Sequence, residues 1–201
     1  MDIGTSSMVL IPPTLPGGIV STVVAHAKEA LAARRRGDTG AAEAAAREAL
    51  SVAQAGASEG AGRDGLILAL SVMAQLDHDA GRVDAATQRY AEAAELSRVD
   101  PVSPRLPHVL RHLGLLHLRA RNLLAAISCC EEALAIRRAD GDTPPLELAN
   151  TIRPLALIRE AEGRSREATE LWKEAESLYS RAGVDSGVEE CRRRMAALAD
   201  S

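Results

Sequence analysis

Leu110-Arg111-His112-Leu113-Gly114-Leu115-Leu116-His117-Leu118-Arg119-Ala120-Arg121-Asn122-Leu123-Leu124-Ala125-Ala126 carries the pattern that decides the fold. A small residue, Gly114, lies in one apolar helical stretch, and twelve positions later Ala126 lies in a second. A third small residue, Ala133, follows after seven more. The same spacing recurs at Ala30, Ala42 and Ala49, at Ala74, Ala86 and Ala93, and at Ala156, Ala168 and Ala175. Between the first two small positions stand Gly37, Gly81 and Gly163, where a helix has to stop and glycine can take positive φ. Arg121 holds that place in the third unit. Two antiparallel helices can cross closely only where both present a small residue, so the frame predicts four helical hairpins. Large apolar residues flank the small ones at helical spacing: Leu70 and Met73, Leu110 and Leu113, Ile152 and Leu155, with Tyr90, Cys130 and Trp172 on the second helices.

The pattern of a large residue, then Leu-Gly or Leu-Ala, then Ala and an aromatic on the second helix is matched by Leu110, Leu113-Gly114 and Ala126. It is matched again by Ile152, Leu155-Ala156, Ala168 and Trp172. On these residues the chain resembles the tetratricopeptide repeat family over roughly residues 19–182. The period near 42 residues and the run Leu148 to Ala156 are similar to the longer kinesin-light-chain type. The resemblance implies an all-α, right-handed α-α superhelix of four hairpins, about 19–56, 63–99, 104–139 and 145–182, plus a C-terminal capping helix over 185–201. Asp185 or Ser186 is the expected N-cap of that helix, and Val188, Cys191, Met195 and Leu198 form its apolar stripe. The first repeat is degenerate, with His26 and Glu29 at apolar positions, and Pro154 is expected to kink its helix. Residues 1–18 lack periodicity and are expected to form a flexible tail whose Met8–Ile11 patch could plug a groove.

Composition agrees. The 201 residues are 46% hydrophobic but only 1% aromatic, without Phe, so Ala and Leu carry the apolar content and favour helices over strands. A net charge of −4 and a pI near 5.8 give no field that draws nucleic acid or acidic membrane. Arginine outnumbers lysine, present only as Lys28 and Lys173, which fits a GC-rich bacterial genome. Three cysteines without CxxC spacing, no spanning apolar run and no secretory signal point to the cytoplasm.

Chemistry-bearing residues are sparse. His108 and His112 stand one helical turn apart, but lack the Glu of a HExxH site, and read as groove or surface histidines. Cys129-Cys130 reads as one core cysteine beside an incidental one. Arg34-Arg35-Arg36 and Arg192-Arg193-Arg194 read as solvated helix ends, since stacking aromatics for nucleic acid are missing. No catalytic residue, metal site or cofactor is expected.

The resemblance implies that the first helices line a groove. Carried over by frame, the lining residues are Lys28, Leu31, Arg34 and Arg35; Val72, Gln75, His78 and Asp79; His108, Arg111, His112, Leu115, Leu118 and Arg119; and Asn150, Arg153, Leu157 and Glu160. Basic residues outnumber acidic ones in this set, so a positive groove is expected within a negative chain. Arg111-His112 and Arg153-Pro154 stand where the kinesin-light-chain type holds a peptide backbone with Asn pairs. The expected function is a non-enzymatic adaptor binding another protein through an acidic peptide segment, with no nucleic-acid or membrane partner. The alternative is a regulatory module sensing a ligand or peptide, and a metalloenzyme built on His108 and His112 ranks third.

Overall fold

A computed structural model of the chain describes residues 16–56, 60–99 and 103–199. Among the described residues the elements are helices: α1 Pro16–Arg35, α2 Thr39–Ala55, α3 Gly60–Asp79, α4 Val83–Arg98, α5 Leu106–Arg119, α6 Leu123–Ala139, α7 Pro145–Ala161, α8 Ser165–Arg181 and α9 Asp185–Ala199. Helix α1 takes in Pro16–Gly18, assigned above to the tail; proline suits a helix's first turn, where its missing N–H is not needed. The Met8–Ile11 patch lies outside the described residues. The chain divides into two compact units, residues 1–69 and 70–201, with the division inside α3.

The turns form where the frame places them. Gly37, Gly81 and Gly163 have φ of +77°, +76° and +73°, and Arg121 takes the same left-handed conformation at +60°. In each turn the next residue's N–H reaches back to the preceding helix: Asp38 to Ala33 O (3.0 Å), Arg82 to Asp77 O (2.8 Å), Asn122 to His117 O (2.9 Å) and Arg164 to Arg159 O (2.9 Å). These bonds satisfy carbonyls that a helix end would otherwise strand. Gly183, at φ +70°, closes α8 in the same way. Helix α9 then starts at Asp185, so Asp185 and Ser186 sit in its first turn and do not cap it. A carboxylate in that turn still faces the positive end of the helix dipole favourably.

The first unit packs α1 on α2 through alanine; Ala42, Ala45, Ala46, Ala49 and Ala53 are the buried residues of α2. In the second unit α5 packs on α6, α7 on α8 and α8 on α9, and the first helices α5 and α7 also touch. Trp172 and Tyr179 of α8, Ile152 and Ile158 of α7 and Cys191 of α9 share one core. Gly114 is essential to the α5–α6 crossing, because a Cβ there would collide with Cys130 Sγ and lie 3.3 Å from Ala126 O. Helix α7 runs through the buried Pro154, which has no N–H to donate to Asn150 O.

Candidate peptide-binding cleft

In the second unit a cleft of about 390 Å³ is lined by Arg111 of α5, Leu146, Asn150 and Arg153 of α7, Tyr179 of α8, Val184, and Ser186, Gly187, Glu190 and Arg193 of α9. Three of the residues expected from the sequence, Arg111, Asn150 and Arg153, are thus brought together. Their frame predicts this, since they follow one another on the same face of neighbouring first helices.

Arg111 donates from Nη2 to His112 Nε2 at 2.6 Å. It makes no ion pair with a carboxylate among the described residues. Burial pulls its guanidinium below the ordinary arginine value, against the opposing influence of Tyr90 and Glu147, while Arg153 adds to the lowering. His112 is held flat against Tyr90, with ring centres 5.2 Å apart, and His108 meets it edge-on at 4.6 Å. Because Nε2 of His112 accepts from Arg111, the ring is held as an orienting group for the guanidinium. Burial first, then the charges of Arg111, Arg137 and Arg105, push the His108 imidazole down to about 4, although its surface edge is exposed. Among the described residues no group of three His, Cys, Asp or Glu is placed to hold a metal.

Arg153 is differently placed. Its Nε and Nη2 donate to Glu190 Oε2 and Oε1 at 2.8 and 2.6 Å, a two-pronged grip by α9. That hydrogen-bonded pairing holds the Glu190 carboxyl below its usual range and raises Arg153. Arg153, expected from the sequence at the groove, thus lines the cleft with its guanidinium already paired: α9, packed on α8, supplies the carboxylate. Glu160 is likewise engaged, accepting from Trp172 Nε1 (2.5 Å) and Arg194 Nη1 (3.0 Å).

Asn150 accepts from the Tyr179 hydroxyl through Oδ1 at 2.9 Å, which fixes the amide and directs its NH₂ group away from that bond. Its main-chain oxygen receives nothing from Pro154. Asn150 therefore keeps its amide NH₂ as a donor at the cleft.

The remaining expected residues separate by burial. Leu115, Leu118 and Leu157 are half-buried, the last two against the core. Arg119 is exposed at the end of α5. Val72 is only 3% exposed, and so does not line a groove; α3 is apolar around most of its circumference and buries Leu70, Val72, Met73 and Leu76 together. Gln75 is half-buried, and His78 faces Asp79 at 3.8 Å. In the first unit Lys28 and Arg35 are exposed on α1, with Leu31 and Arg34 half-buried.

Sequence reasoning missed Asp77, a carboxylate 2% exposed on α3 that accepts from Arg82 Nε at 2.7 Å and from Arg89 Nη1. A carboxylate inside an apolar stretch, with Arg five and twelve positions on, was the available signal. The cysteines are free and buried, and burial pushes the Cys130 thiol up to about 12 and Cys191 to about 11, away from thiolate chemistry. Among the described residues no helix is long and apolar enough to cross a membrane.

No family model and no curated protein matches the chain. Among solved structures it is similar to aspartyl phosphate phosphatase F from Bacillus subtilis, with a TM-score of 0.75 at 16% identity, over 89% of this chain and 45% of that one. This chain therefore spans less than half of that protein. It is also similar to BtubC (BKLC) from P. vanneervenii, with a TM-score of 0.63 at 19% identity over 94% of both chains. A third likeness is to MamA protein, at 0.54 and 16% identity over 90% of this chain and 93% of that one. These likenesses, with the hairpins above, make the fold all-α and of the tetratricopeptide-like superhelical type.

Proposed function

We propose that the chain is a non-enzymatic scaffold that holds an acidic-apolar peptide segment of another protein along the first helices α5 and α7 of its second unit. The observation that carries this reading is Arg111, a largely enclosed guanidinium at a cleft, oriented by His112 and without a carboxylate of its own among the described residues. An enclosed cation is costly unless paired, and a ligand carboxylate would complete it with two forked hydrogen bonds. Leu115, Leu118 and Leu157 offer apolar surface on the same helices, and Asn150 offers an amide donor to the ligand backbone. Recognition through several such groups fits a peptide better than a small effector. The steps of 40 to 44 residues between hairpins support assignment to the longer, kinesin-light-chain-like variant.

A fluorescent peptide alternating Asp with Leu tests the reading. Arg111→Glu is expected to abolish its binding while circular dichroism stays helical. Affinity is expected to fall modestly as salt rises from about 0.05 to 0.5 M, because the approach of the acidic peptide is screened beyond about 10 Å at 0.1 M while a pair formed at the enclosed Arg111 is screened less. Binding that ignores both changes, or a preference for a Lys-rich peptide, refutes it.

A further inference from the structure

The cleft holds two guanidinium groups on neighbouring first helices, yet only one of them lacks a carboxylate. Glu190 fills Arg153 with both oxygens, in the geometry that an acidic ligand would adopt. The stretch of α9 that carries Glu190 is also held in place. A Cβ on Gly187 would lie 2.6 Å from the Tyr179 ring, so the first turn of α9 rests directly on α8. Cys191, the residue after Glu190, is fully buried. Arg194 of the same helix ties to Glu160 of α7 at 3.0 Å. Arg193, at the rim, is 70% exposed and faces Glu189 at 3.9 Å.

We infer that Glu190 is a specificity-determining residue of the cleft: it occupies Arg153 permanently, so the cleft accepts one partner carboxylate on Arg111 and disfavours a second beside it. This inference rests on the peptide-binding reading above. A second ligand carboxylate would have to compete with a prebuilt bidentate pair and face the Glu190 charge, and juxtaposed like charges are a means of rejecting wrong partners. The partner class is therefore a segment with an isolated acidic residue among apolar ones, rather than an acidic cluster.

The test compares two fluorescent peptides by anisotropy: one alternating Leu with Asp, the other with every Asp except the central one replaced by Asn. Wild-type protein is expected to bind the single-Asp peptide more tightly than the multiple-Asp one, by about threefold or more. Glu190→Gln frees Arg153 and is expected to tighten the multiple-Asp peptide by about tenfold, the size of one charge-assisted contact, leaving the single-Asp peptide unchanged. Arg153→Gln breaks the same bridge and is expected to give no gain, which separates selectivity from mere loosening of α9. Should Glu190→Gln lose its helical circular dichroism, Glu190→Asp, one methylene too short for the two-pronged grip, is expected to show a smaller gain of the same sign. A folded Glu190→Gln or Glu190→Asp without selective gain, or an equal gain in Arg153→Gln, overturns the inference alone. Failure of every form to bind either peptide overturns the peptide-binding reading and this inference with it.

Discussion

At Gly114 the space for a side chain is already taken by the Cys130 thiol. Gly114→Leu is expected to cost roughly 1–3 kcal/mol or more through overpacking. Ala42, in the alanine-lined first hairpin, is expected to tolerate Leu at lower cost; calorimetric melting of the two variants checks the ranking. His108 gives a pH signature. Its folded pKa, about 4, lies below the ordinary 6.5, so the fold favours the neutral ring. Stability from this residue is complete above about pH 6.5 and is lost as pH falls toward 4. Arg105 just before its helix, Arg111 on it and Arg137 on α6 oppose its protonation, and His108→Gln is expected to flatten urea stability across that window. The small-residue positions were legible because a close crossing tolerates few side chains and its frame is local in sequence. The pairing of Arg153 was not legible, because Glu190 lies 37 residues away and reaches it only through the packing of α9 on α8.

Helix α9 shows how much an amphipathic pattern reveals by itself. The stripe of Val188, Cys191, Met195 and Leu198 predicted a covering helix, and in the structure these residues pack on the core of the second unit. Its polar face looked like solvated charge, yet Glu190, Arg192 and Arg194 reach Arg153, Glu176 and Glu160. Solvation and pairing are indistinguishable in a sequence when the partner lies on another element. Gly187→Val is expected to push α9 off the Tyr179 ring at a cost of about 1–3 kcal/mol. Cys191, fully buried in the native helix, should then react with a thiol reagent that the wild type resists. At the α3–α4 turn, Asp77→Asn removes the charge that Arg82 and Arg89 share. Hydrogen bonds to charged groups are worth about 1.5–3 kcal/mol, and because both arginines can turn to water, the low end is expected in denaturant melts.

Across the second unit the hairpins are joined by a repeated bridge. Arg98 at the end of α4 holds Glu132 of α6, with Nη2 to Oε2 at 2.7 Å, and Arg138 at the end of α6 holds Glu174 of α8 at 2.7 Å. Glu132 and Glu174 each immediately precede the third small residue of their repeat, Ala133 or Ala175. Each exposed pair is worth about 0–1 kcal/mol, so Arg138→Ala alone is expected to cost less than about 1 kcal/mol, and a double-mutant cycle with Glu174→Ala should return a coupling of that size. Such bridges matter more for which faces meet than for how tightly. Helix α6 carries both halves of the bridge, accepting through Glu132 and donating through Arg138. A chain in which the α5–α6 hairpin is duplicated in tandem would therefore present, at the new joint, the Arg138 of one copy to the Glu132 of the next. The hairpin is in this sense a unit with matching ends, which lets the array lengthen by whole modules without inventing a new seam.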